Sequence, residues 1–325
     1  MMISRTPLRV SFCGGGSDLA AFYENNPHGG CVTSVSLARY IHVTVNQRFD
    51  NDIRLSYSQT EIVSNFEDLQ HELVREAMRM TGVTSGVEIT TIADIPSRGT
   101  GLGSSSAVTV GLLAALYEYS GQQVDAMTLA EQACQIEIDI LGQPIGRQDQ
   151  FGCAAGGINH IRFLPNGETI VEPLDISAEV LTRMSEEFTL LYTGKTRSAS
   201  GLLAEQSANT SVNSAQLERM CEQAREAKTA LLAGDLAKVG NLLHEGWQLK
   251  RQLASGITMP EIDELYETIL SCGSSGGKLL GAGGGGFILF HGDEGVRSKV
   301  AEALPNQQML PLQVAMKPVG IIFSE

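Results

Sequence analysis

The residues of this chain that could do chemistry cluster around glycine-rich segments. One of these, Pro96–Ala107, reads PSRGTGLGSSSA and lies between a strand-like run and a long apolar run. Glycine lets the backbone approach an anion closely, and the first N–H groups of a helix point toward such a ligand. The lysine of a P-loop is absent, so backbone N–H groups, the helix dipole and serine hydroxyls would hold the phosphates. We predict a phosphate cradle at a helix start, with a simple serine N-cap as the alternative.

Charged side chains elsewhere could supply the other parts of a phosphoryl transfer. Arg9 precedes the glycines 14–16 and has a donor fork suited to phosphate or a developing oxyanion. Glu137 and Asp149 could divide two duties, one holding Mg²⁺ and the other receiving a hydroxyl proton. A serine hydroxyl is a further Mg²⁺ ligand when phosphate oxygens complete the set. Asp18 could accept hydrogen bonds from sugar hydroxyls, and a surface aspartate on a glycine turn is the alternative.

Another glycine-rich segment, Gly276–Gly286, reads GGKLLGAGGGG. A flexible linker would contain glycine and serine without apolar residues, whereas Leu279 and Leu280 attach this segment to a core. We therefore predict a backbone wall against a substrate. Lys195 and Arg197, on a loop after a predicted strand, are two cations that could hold a phosphate at the far end of that substrate. Two solvated loop cations are the alternative interpretation.

Hydrophobic periodicity predicts the elements that position these groups. Strands dominate the first half and helices the second, which indicates an α+β fold and disfavours a doubly wound sheet. A strand over 87–92 leads into the phosphate cradle, and a buried helix over 104–119 follows it. The other predictions are strands over 3–13, 31–48, 52–57, 158–163, 188–192, 287–290 and 313–319, helices over 66–80, 128–141, within 202–253, over 261–272 and 296–304, and a glycine loop over 273–286.

Composition excludes several classes of protein. The 325 residues carry a formal net charge of −14, and so acidic a chain repels nucleic acid and anionic membranes. No run approaches the roughly 20 apolar residues of a membrane span, and the N-terminus lacks the apolar stretch of a signal peptide. Six cysteines without CxxC spacing indicate reduced thiols and a cytoplasmic protein. The sequence leaves the oligomeric state open, a homodimer included.

These segments, in this order, resemble the GHMP kinases, the family of galactokinase, homoserine kinase, mevalonate kinase and phosphomevalonate kinase. The resemblance spans nearly the whole chain and includes a Gly-x-x-x-Gly-x-x-Asp-Gln segment at 142–150. It implies a domain like ribosomal protein S5 domain 2 over residues 1–180 and a ferredoxin-like domain over 181–325, with the active site between them. It also implies an ATP-dependent phosphotransferase that uses Mg²⁺.

The same resemblance implies a role for each matching residue. Asp149 would be the base, with Arg9 as the charge stabiliser beside it. Ser105 and Glu137 would hold Mg²⁺, and Ser104 or Ser106 is an alternative to Ser105. The remaining ligand contacts would be, for ATP, Pro96, Arg98, Gly99, Gly101, Leu102, Gly103, Ser104, Ser105 and Ser106, and, for the acceptor, Ser17, Asp18, Lys195, Arg197, Gly283 and Gly284.

Departures of this sequence from the family pattern indicate which sugar accepts the phosphate. Galactokinase has a Glu-His-x-Asp signature where this chain has Gly-Gly-Ser-Asp at 15–18, which disfavours galactose. The segments 5–12 and 192–200 are most similar to the branch that acts on D-glycero-D-manno-heptose 7-phosphate, and next to L-fucokinase domains. This similarity implies transfer to the anomeric hydroxyl of that heptose, giving the 1,7-bisphosphate. L-fucokinase or another sugar-1-kinase is the first alternative, and a non-catalytic binding member of the fold is the second.

Overall fold

Two β-sheets and the helices packed on them make up the fold. The computed structural model describes residues 1–96, 99–195 and 200–325. The larger sheet contains eight strands and the smaller one four. In chain order the strands are β1 (Met2–Cys13), β2 (Gly30–Gln47), β3 (Ile53–Ser56), β4 (Thr60–Val63), β5 (Val87–Ala93), β6 (Ile158–Phe163), β7 (Thr169–Pro173), β8 (Phe188–Tyr192), β9 (Gly276–Leu279), β10 (Phe287–His291), β11 (Met309–Pro311) and β12 (Gly320–Ser324).

The larger sheet is organised around its two longest strands. β1 pairs antiparallel with β2, and the sheet runs in the order β12-β1-β2-β5-β3-β4. The N-terminal part of β2 also pairs with β6, which in turn pairs with β7. The second half of β1 is buried on both faces, including its polar residues Arg9 and Ser11. Because Arg9 lies in that half, the strand carries a charged side chain into the interior of the molecule.

The smaller sheet has the order β11-β8-β10-β9 and contacts the end of β1. Phe12 of β1 and Phe188 of β8 meet edge to face, with 5.6 Å between ring centroids. β12, the C-terminal strand of the chain, does not join the smaller sheet but pairs antiparallel with β1 in the larger one. The division of the chain at residue 180 stays a prediction.

The helices place the functional segments against these sheets. α3 has the bounds predicted from the sequence and is buried along most of its length. Gly103, just before it, has a φ of +72°, a left-handed conformation that favours glycine. The helices are α1 (Ala20–Tyr23), α2 (Glu72–Thr81), α3 (Ser104–Tyr119), α4 (Ala126–Cys134), α5 (Gln148–Ala155), α6 (Ala178–Glu187), α7 (Ser200–Ala208), α8 (Ser214–Leu232), α9 (Leu236–Lys250), α10 (Pro260–Ser271) and α11 (Glu294–Ala303), with a 3₁₀ turn at Phe66–Asp68 and a π-helix at Gln135–Ile140.

The π-helix follows α4 directly and carries Glu137. Such wide turns within helices are frequent at functional sites. None of the helices in the described parts of the chain is long and apolar enough to cross a membrane.

The strand predicted over 313–319 is wrong. This segment crosses from the smaller sheet to the larger one, and its backbone pairs with different elements on the way. The N–H of Ala315 donates to the carbonyl of Ser36 at 2.8 Å, and the N–H of Val319 donates to the carbonyl of Ala154 at 3.0 Å. Pro318 interrupts the segment because proline has no N–H to offer a sheet. The last strand of the chain is therefore β12.

Two other predicted boundaries differ from the structure. The loop predicted over 273–286 contains β9, because Lys278 and Leu279 pair with β10. The helix predicted over 66–80 begins only at Glu72, after the separate 3₁₀ turn.

Candidate active site

A cavity of about 770 Å³ lies where β1, the start of α3, the start of α5 and the loop at 281–282 meet. Arg9, Asp18, Ser105 and Asp149 all line this cavity. Arg9 and Asp149 are 140 positions apart in the sequence and yet form a hydrogen bond. The fold thus brings together side chains from three of the five segments in which the sequence predicted functional residues.

Arg9 and Asp149 form an ion pair at the cavity wall. Nε and Nη2 of Arg9 donate to Oδ1 of Asp149 at 2.8 and 2.6 Å. Nη1 donates to the carbonyl of Gly101 at 2.6 Å. Burial lowers the pKa of Arg9 and the charge of Asp149 raises it, and the net direction is upward. The Asp149 carboxylate therefore faces the cavity with a fixed positive charge beside it.

Glu137 lies beneath the first turn of α3 and is completely buried. Its Oε1 accepts a hydrogen bond from the Ser105 hydroxyl at 2.9 Å, and its Oε2 accepts one from the Gln150 amide at 2.7 Å. Burial raises the pKa of Glu137 to about 7. A cation beside this carboxyl group would favour its charged form.

The Ser105–Glu137 pair fits Mg²⁺ of the kind that phosphates help to hold. Mg²⁺ in kinase sites takes one or two carboxylates, and substrate phosphates and water complete its oxygen ligands. Ser105 is exposed to the cavity, and its hydroxyl lies against the Glu137 carboxylate. Among the described residues, no group of three or more His, Cys, Asp or Glu side chains could hold a metal on its own. The donor set therefore suits an ion that arrives with a phosphate ligand.

Asp18 is fixed beside the glycines 14–16. Its Oδ1 accepts hydrogen bonds from the N–H of Gly16 and the side-chain amide of Gln148, both at 2.9 Å. Burial raises the pKa of Asp18, and the nearby charge of Asp149 raises it further. Gly146 packs against this carboxylate so closely that a Cβ there would lie 1.9 Å from Oδ2. Position 146 must therefore remain glycine for Asp18 to keep its place.

The two glycine-rich loops contact each other backbone to backbone at the cavity. Gly101 and Gly281 have φ values of +76° and +72°. A Cβ on Gly101 would lie 2.4 Å from the carbonyl oxygen of Leu280, and one on Gly281 would lie 2.3 Å from the Cα of Gly101. Both positions need glycine for conformation and for space. This contact places residues 281 and 282 in the cavity wall.

Most of the predicted phosphate cradle also faces the cavity. Leu102 is buried beneath it, and its carbonyl accepts a hydrogen bond from the backbone N–H of Arg9 at 3.0 Å. Pro96 is exposed and lies outside the cavity wall, and Arg98 lies outside the described residues. The cradle residues that line the cavity are Gly99, Thr100, Gly101, Gly103, Ser104, Ser105 and Ser106.

Three of the residues predicted to bind the acceptor lie away from the cavity wall. Ser17 is fully buried, and its hydroxyl donates to the carbonyl of Gly14 at 2.8 Å. Gly284 donates its N–H to the carbonyl of Ile257 at 2.9 Å, and Gly283 packs against the same backbone. In this structure all three residues stabilise the loops that surround the cavity.

The predicted cation pair on the loop after β8 is also not brought to the cavity. Nζ of Lys195 donates to Oε1 of Glu261 at 2.7 Å, in an exposed ion pair. Arg197 lies outside the described residues.

The cavity residues missed by the reasoning from sequence include four polar ones on β1, α5, α9 and β9. They are Ser11, Gln148, Lys250 and Lys278. The signal for Lys278 was its place as a single charge within a glycine and leucine segment, and the signal for Ser11 was its spacing from Arg9, which puts both on one face of β1. Lys250 lies in a run of helix formers and offered no comparable signal.

A second cavity, of about 410 Å³, adjoins the first at Ser104 and Ser105. Its wall is mixed, with apolar side chains such as Ile92 and Val108 beside polar ones such as Ser58 and Thr91. The rings of Tyr57 and His71 also line it and meet edge to face, with 4.7 Å between their centroids. A cavity of this lining could take a flat ring system whose attached phosphates reach the start of α3.

Two family models match the chain. Residues 68–157 match the model of the GHMP kinases N terminal domain, and residues 227–309 match that of the GHMP kinases C terminal domain. Together the two matches cover more than half of the chain.

Individual proteins are similar over nearly the full length. The D-glycero-alpha-D-manno-heptose 7-phosphate kinase of Campylobacter jejuni is 28% identical, with 94% of this chain and 93% of that one covered. The bifunctional fucokinase/GDP-fucose pyrophosphorylase of Arabidopsis thaliana is 27% identical over 90% of this chain and 30% of its own length. The crystal structure of a D-glycero-D-manno-heptose 1-phosphate kinase from Bacteroides thetaiotaomicron aligns over 100% of both chains with a TM-score of 0.82 at 24% identity.

The structural likeness confirms the two-domain fold with mixed helices and sheets, and the family models agree with the order of the glycine-rich segments in the sequence. This chain therefore belongs to the GHMP kinase family and is a phosphotransferase with an alcohol group as acceptor.

Proposed function

We propose that this protein transfers the γ-phosphate of ATP to the anomeric hydroxyl of D-glycero-D-manno-heptose 7-phosphate, giving the 1,7-bisphosphate. The observation that carries the proposal is the Arg9–Asp149 pair, which faces one cavity together with the serine-rich start of α3. A carboxylate fixed beside a cation and opposite a phosphate cradle is the arrangement that phosphoryl transfer needs.

The nucleotide would lie across the two adjoining cavities. Its phosphates would contact the N–H groups at the start of α3, where the helix dipole favours negative charge. Its base would occupy the second cavity beside Tyr57 and His71. Ser104 and Ser105, which line both cavities, would then lie between base and γ-phosphate.

Ser105 and Glu137 are the residues that would hold Mg²⁺. When bound, such an ion neutralises charge on the transferring phosphoryl group. In its absence, the Ser105 hydroxyl and the Gln150 amide keep the Glu137 carboxyl group in place.

Asp149 would act on the acceptor hydroxyl. Both bonds from Arg9 go to Oδ1, and no described residue donates a hydrogen bond to Oδ2. Oδ2 can thus accept the proton of a sugar hydroxyl, or orient that hydroxyl for attack on phosphorus. Arg9 would stay charged throughout and stabilise the oxyanions of the transferring group. Asp18 would accept hydrogen bonds from the sugar.

The proposal has two candidate acceptors, a heptose phosphate and L-fucose. The named relatives differ in it, since one is called a heptose 7-phosphate kinase, another a heptose 1-phosphate kinase and a third contains a fucokinase. L-fucose is the second candidate, because the fucokinase similarity covers 90% of this chain.

A substrate panel tests the proposal. ADP release would be measured with heptose 7-phosphate, heptose 1-phosphate, L-fucose and galactose, each at several concentrations. We expect the highest kcat/KM with heptose 7-phosphate. A higher value with L-fucose would favour the second candidate, and no ADP release with any sugar would favour a non-catalytic binding protein.

A further inference from the structure

Two lysines reach the main cavity from the C-terminal half of the chain, and both are almost fully buried. Lys250, the last residue of α9, is 7% exposed, and Lys278, on β9, is 5% exposed. Nζ of Lys278 donates to the carbonyls of Ser11 and Phe12 at 3.0 and 3.1 Å. Nζ of Lys250 donates to the carbonyl of Gly281. Each ammonium group thus keeps at least one N–H available for a ligand.

Within the part of the chain that the structure describes, these two side chains have no counterion. Their contacts within the described residues are with carbonyl oxygens, and neither forms an ion pair there. The nearby carboxylates are engaged elsewhere, Asp149 by Arg9 and Asp18 by Gln148. A buried ammonium without a counterion is costly, and two in one cavity also repel each other. An anion in the cavity would remove both costs.

Unpartnered polar atoms lie at the same place. The Ser11 hydroxyl and the Oε1 atom of Gln148 are buried without a hydrogen-bond partner among the described residues. Both lie beside Gly15, at 3.7 Å from where its Cβ would stand. Buried polar groups are nearly always hydrogen-bonded, so an orphaned pair in a cavity wall points to a polar ligand.

This polar cluster lies further along β1 than the nucleotide contacts do. The phosphate cradle contacts β1 at Arg9, through the carbonyls of Gly101 and Leu102. Lys278 contacts β1 two and three residues later, which is about 7 to 10 Å along a strand. An acceptor whose hydroxyl is at Asp149 can therefore extend away from the nucleotide toward Lys278.

We propose that Lys250, Lys278 and the Ser11 hydroxyl form an anion subsite for the phosphate ester that the acceptor already carries. The inference rests on the proposed kinase function, and it assigns the acceptor phosphate to buried cations inside the cavity. The exposed Lys195 differs from them, since its charge is already paired with Glu261. The subsite selects phosphorylated acceptors over free sugars of the same stereochemistry.

Two variants remove the charges with little change in volume. Lys250→Met and Lys278→Gln should both fold, because replacing a buried charge by a neutral side chain of similar size is often tolerated or stabilising. Lys238→Met is the matched control, since Lys238 lies on the exposed face of the same helix as Lys250.

Steady-state kinetics with heptose 7-phosphate and with the unphosphorylated heptose form the first arm of the test. In each variant the KM for the phosphorylated acceptor should rise about 10- to 100-fold, the value of one charged hydrogen bond. The KM for the free sugar and for ATP should not change. An equal rise for both acceptors, or a rise confined to ATP, would overturn the assignment.

Calorimetric titration with inorganic phosphate forms the second arm and needs no turnover. Wild type and Lys238→Met should bind phosphate, and Lys250→Met and Lys278→Gln should bind it at least 10-fold more weakly. Equal affinity in all four proteins would exclude the anion subsite. Because this arm needs no sugar kinase activity, an inactive substrate panel together with normal phosphate binding would refute the proposed function and leave the subsite standing.

Discussion

The main cavity has two halves that are built from different groups. The half proposed to bind the nucleotide, called the nucleotide half below, is one contiguous stretch, Gly99–Ser106, which offers backbone N–H groups and serine hydroxyls. The half proposed to bind the acceptor, called the acceptor half below, consists of side chains from four parts of the chain: Ser11 and Asp18 near the N-terminus, Gln148, Lys250 and Lys278. Arg9 and Asp149 lie at the boundary between the halves.

The two proposed tasks, binding a nucleotide and recognising one acceptor, thus depend on different kinds of contact. Phosphates of a nucleotide can be held by helix dipoles and glycine backbone, which depend little on side-chain identity. A particular acceptor needs groups of defined charge and length, so its site depends on residues that the fold must collect from distant positions. Substitutions should therefore affect one half without the other.

The largest effect is expected at the boundary. Asp149→Asn keeps an oxygen for Arg9 and removes the proton acceptor, so kcat should fall about 10²- to 10⁴-fold. ATP affinity should stay unchanged, since the cradle is untouched. Turnover and the affinity for a non-hydrolysable ATP analogue would be measured beside Asp139→Asn, an exposed carboxylate on the π-helix. Full activity in Asp149→Asn would refute its role.

A smaller effect, on the nucleotide half, is expected at the contact between the two glycine loops. In Gly101→Ala the new Cβ would meet the Leu280 carbonyl at 2.4 Å, so the cradle must shift. A displacement of about 1 Å near reacting groups costs on the order of 10²-fold in rate. We expect that loss in kcat/KM for ATP.

The control for this prediction is Gly121→Ala. Gly121 has a similar φ of +73°, and no atom of the described residues lies within 4 Å of its Cβ position. It should lose about 1 to 2 kcal/mol of stability from backbone strain and keep its kinetics. If both variants lost the same activity, strain in general and not the contact between the loops would be the cause.

The acceptor half should respond to Asp18→Asn. Burial and the charge of Asp149 raise the pKa of Asp18, so removing the charge should not destabilise the fold. The KM for the acceptor should rise about 10- to 100-fold through weaker hydrogen bonds to the sugar. Initial-rate kinetics in both substrates would check this, with the exposed Asp175→Asn as control. A changed KM for ATP would contradict the separation of the halves.

The smallest effect is a dependence of stability on pH in the ligand-free protein. Burial lowers the pKa of Lys278 to about 8, Cys13 opposes this change and Arg9 adds to it. Lys250, whose own pKa is also lowered by burial, faces the same group. Between pH 8 and the usual lysine pKa of about 10.4, only the unfolded chain holds this proton. The buried charge therefore destabilises the fold to its full extent below pH 8. The free energy of unfolding then rises as the pH increases from 8 to about 10.4.

Urea unfolding of the wild type and of Lys278→Met at pH 7.5 and 9.5 would measure this recovery. The wild type should gain about 1 to 3 kcal/mol relative to the variant. Parallel pH profiles would show that Lys278 has the same pKa in the folded and unfolded chains.

The nucleotide half could be predicted from sequence because it is local. Glycines, serines and an apolar helix follow one another in 99–119, and α3 begins and ends at the predicted residues. Glu137 and Asp149 could be selected as separate carboxylates, although the sequence did not show that Glu137 would lie on a π-helix beneath Ser105.

The acceptor half could not be predicted in the same way. Lys278 and Ser11 are 267 positions apart in the sequence, and only the folding of the chain brings them into contact. Ser17 follows the triple glycine in sequence, yet the turn directs its hydroxyl into the backbone at Gly14. Sequence spacing alone does not show whether a polar side chain lines the cavity or forms a hydrogen bond with the backbone.

Product identity tests the central claim most directly. The wild-type enzyme would be incubated with ATP, Mg²⁺ and D-glycero-D-manno-heptose 7-phosphate, and the product would be examined by ³¹P and ¹H NMR. We expect a new phosphate coupled to the anomeric proton, with the 7-phosphate retained and a single anomer formed. A phosphate at any other carbon, or no new phosphate ester while ATP persists, would contradict the account.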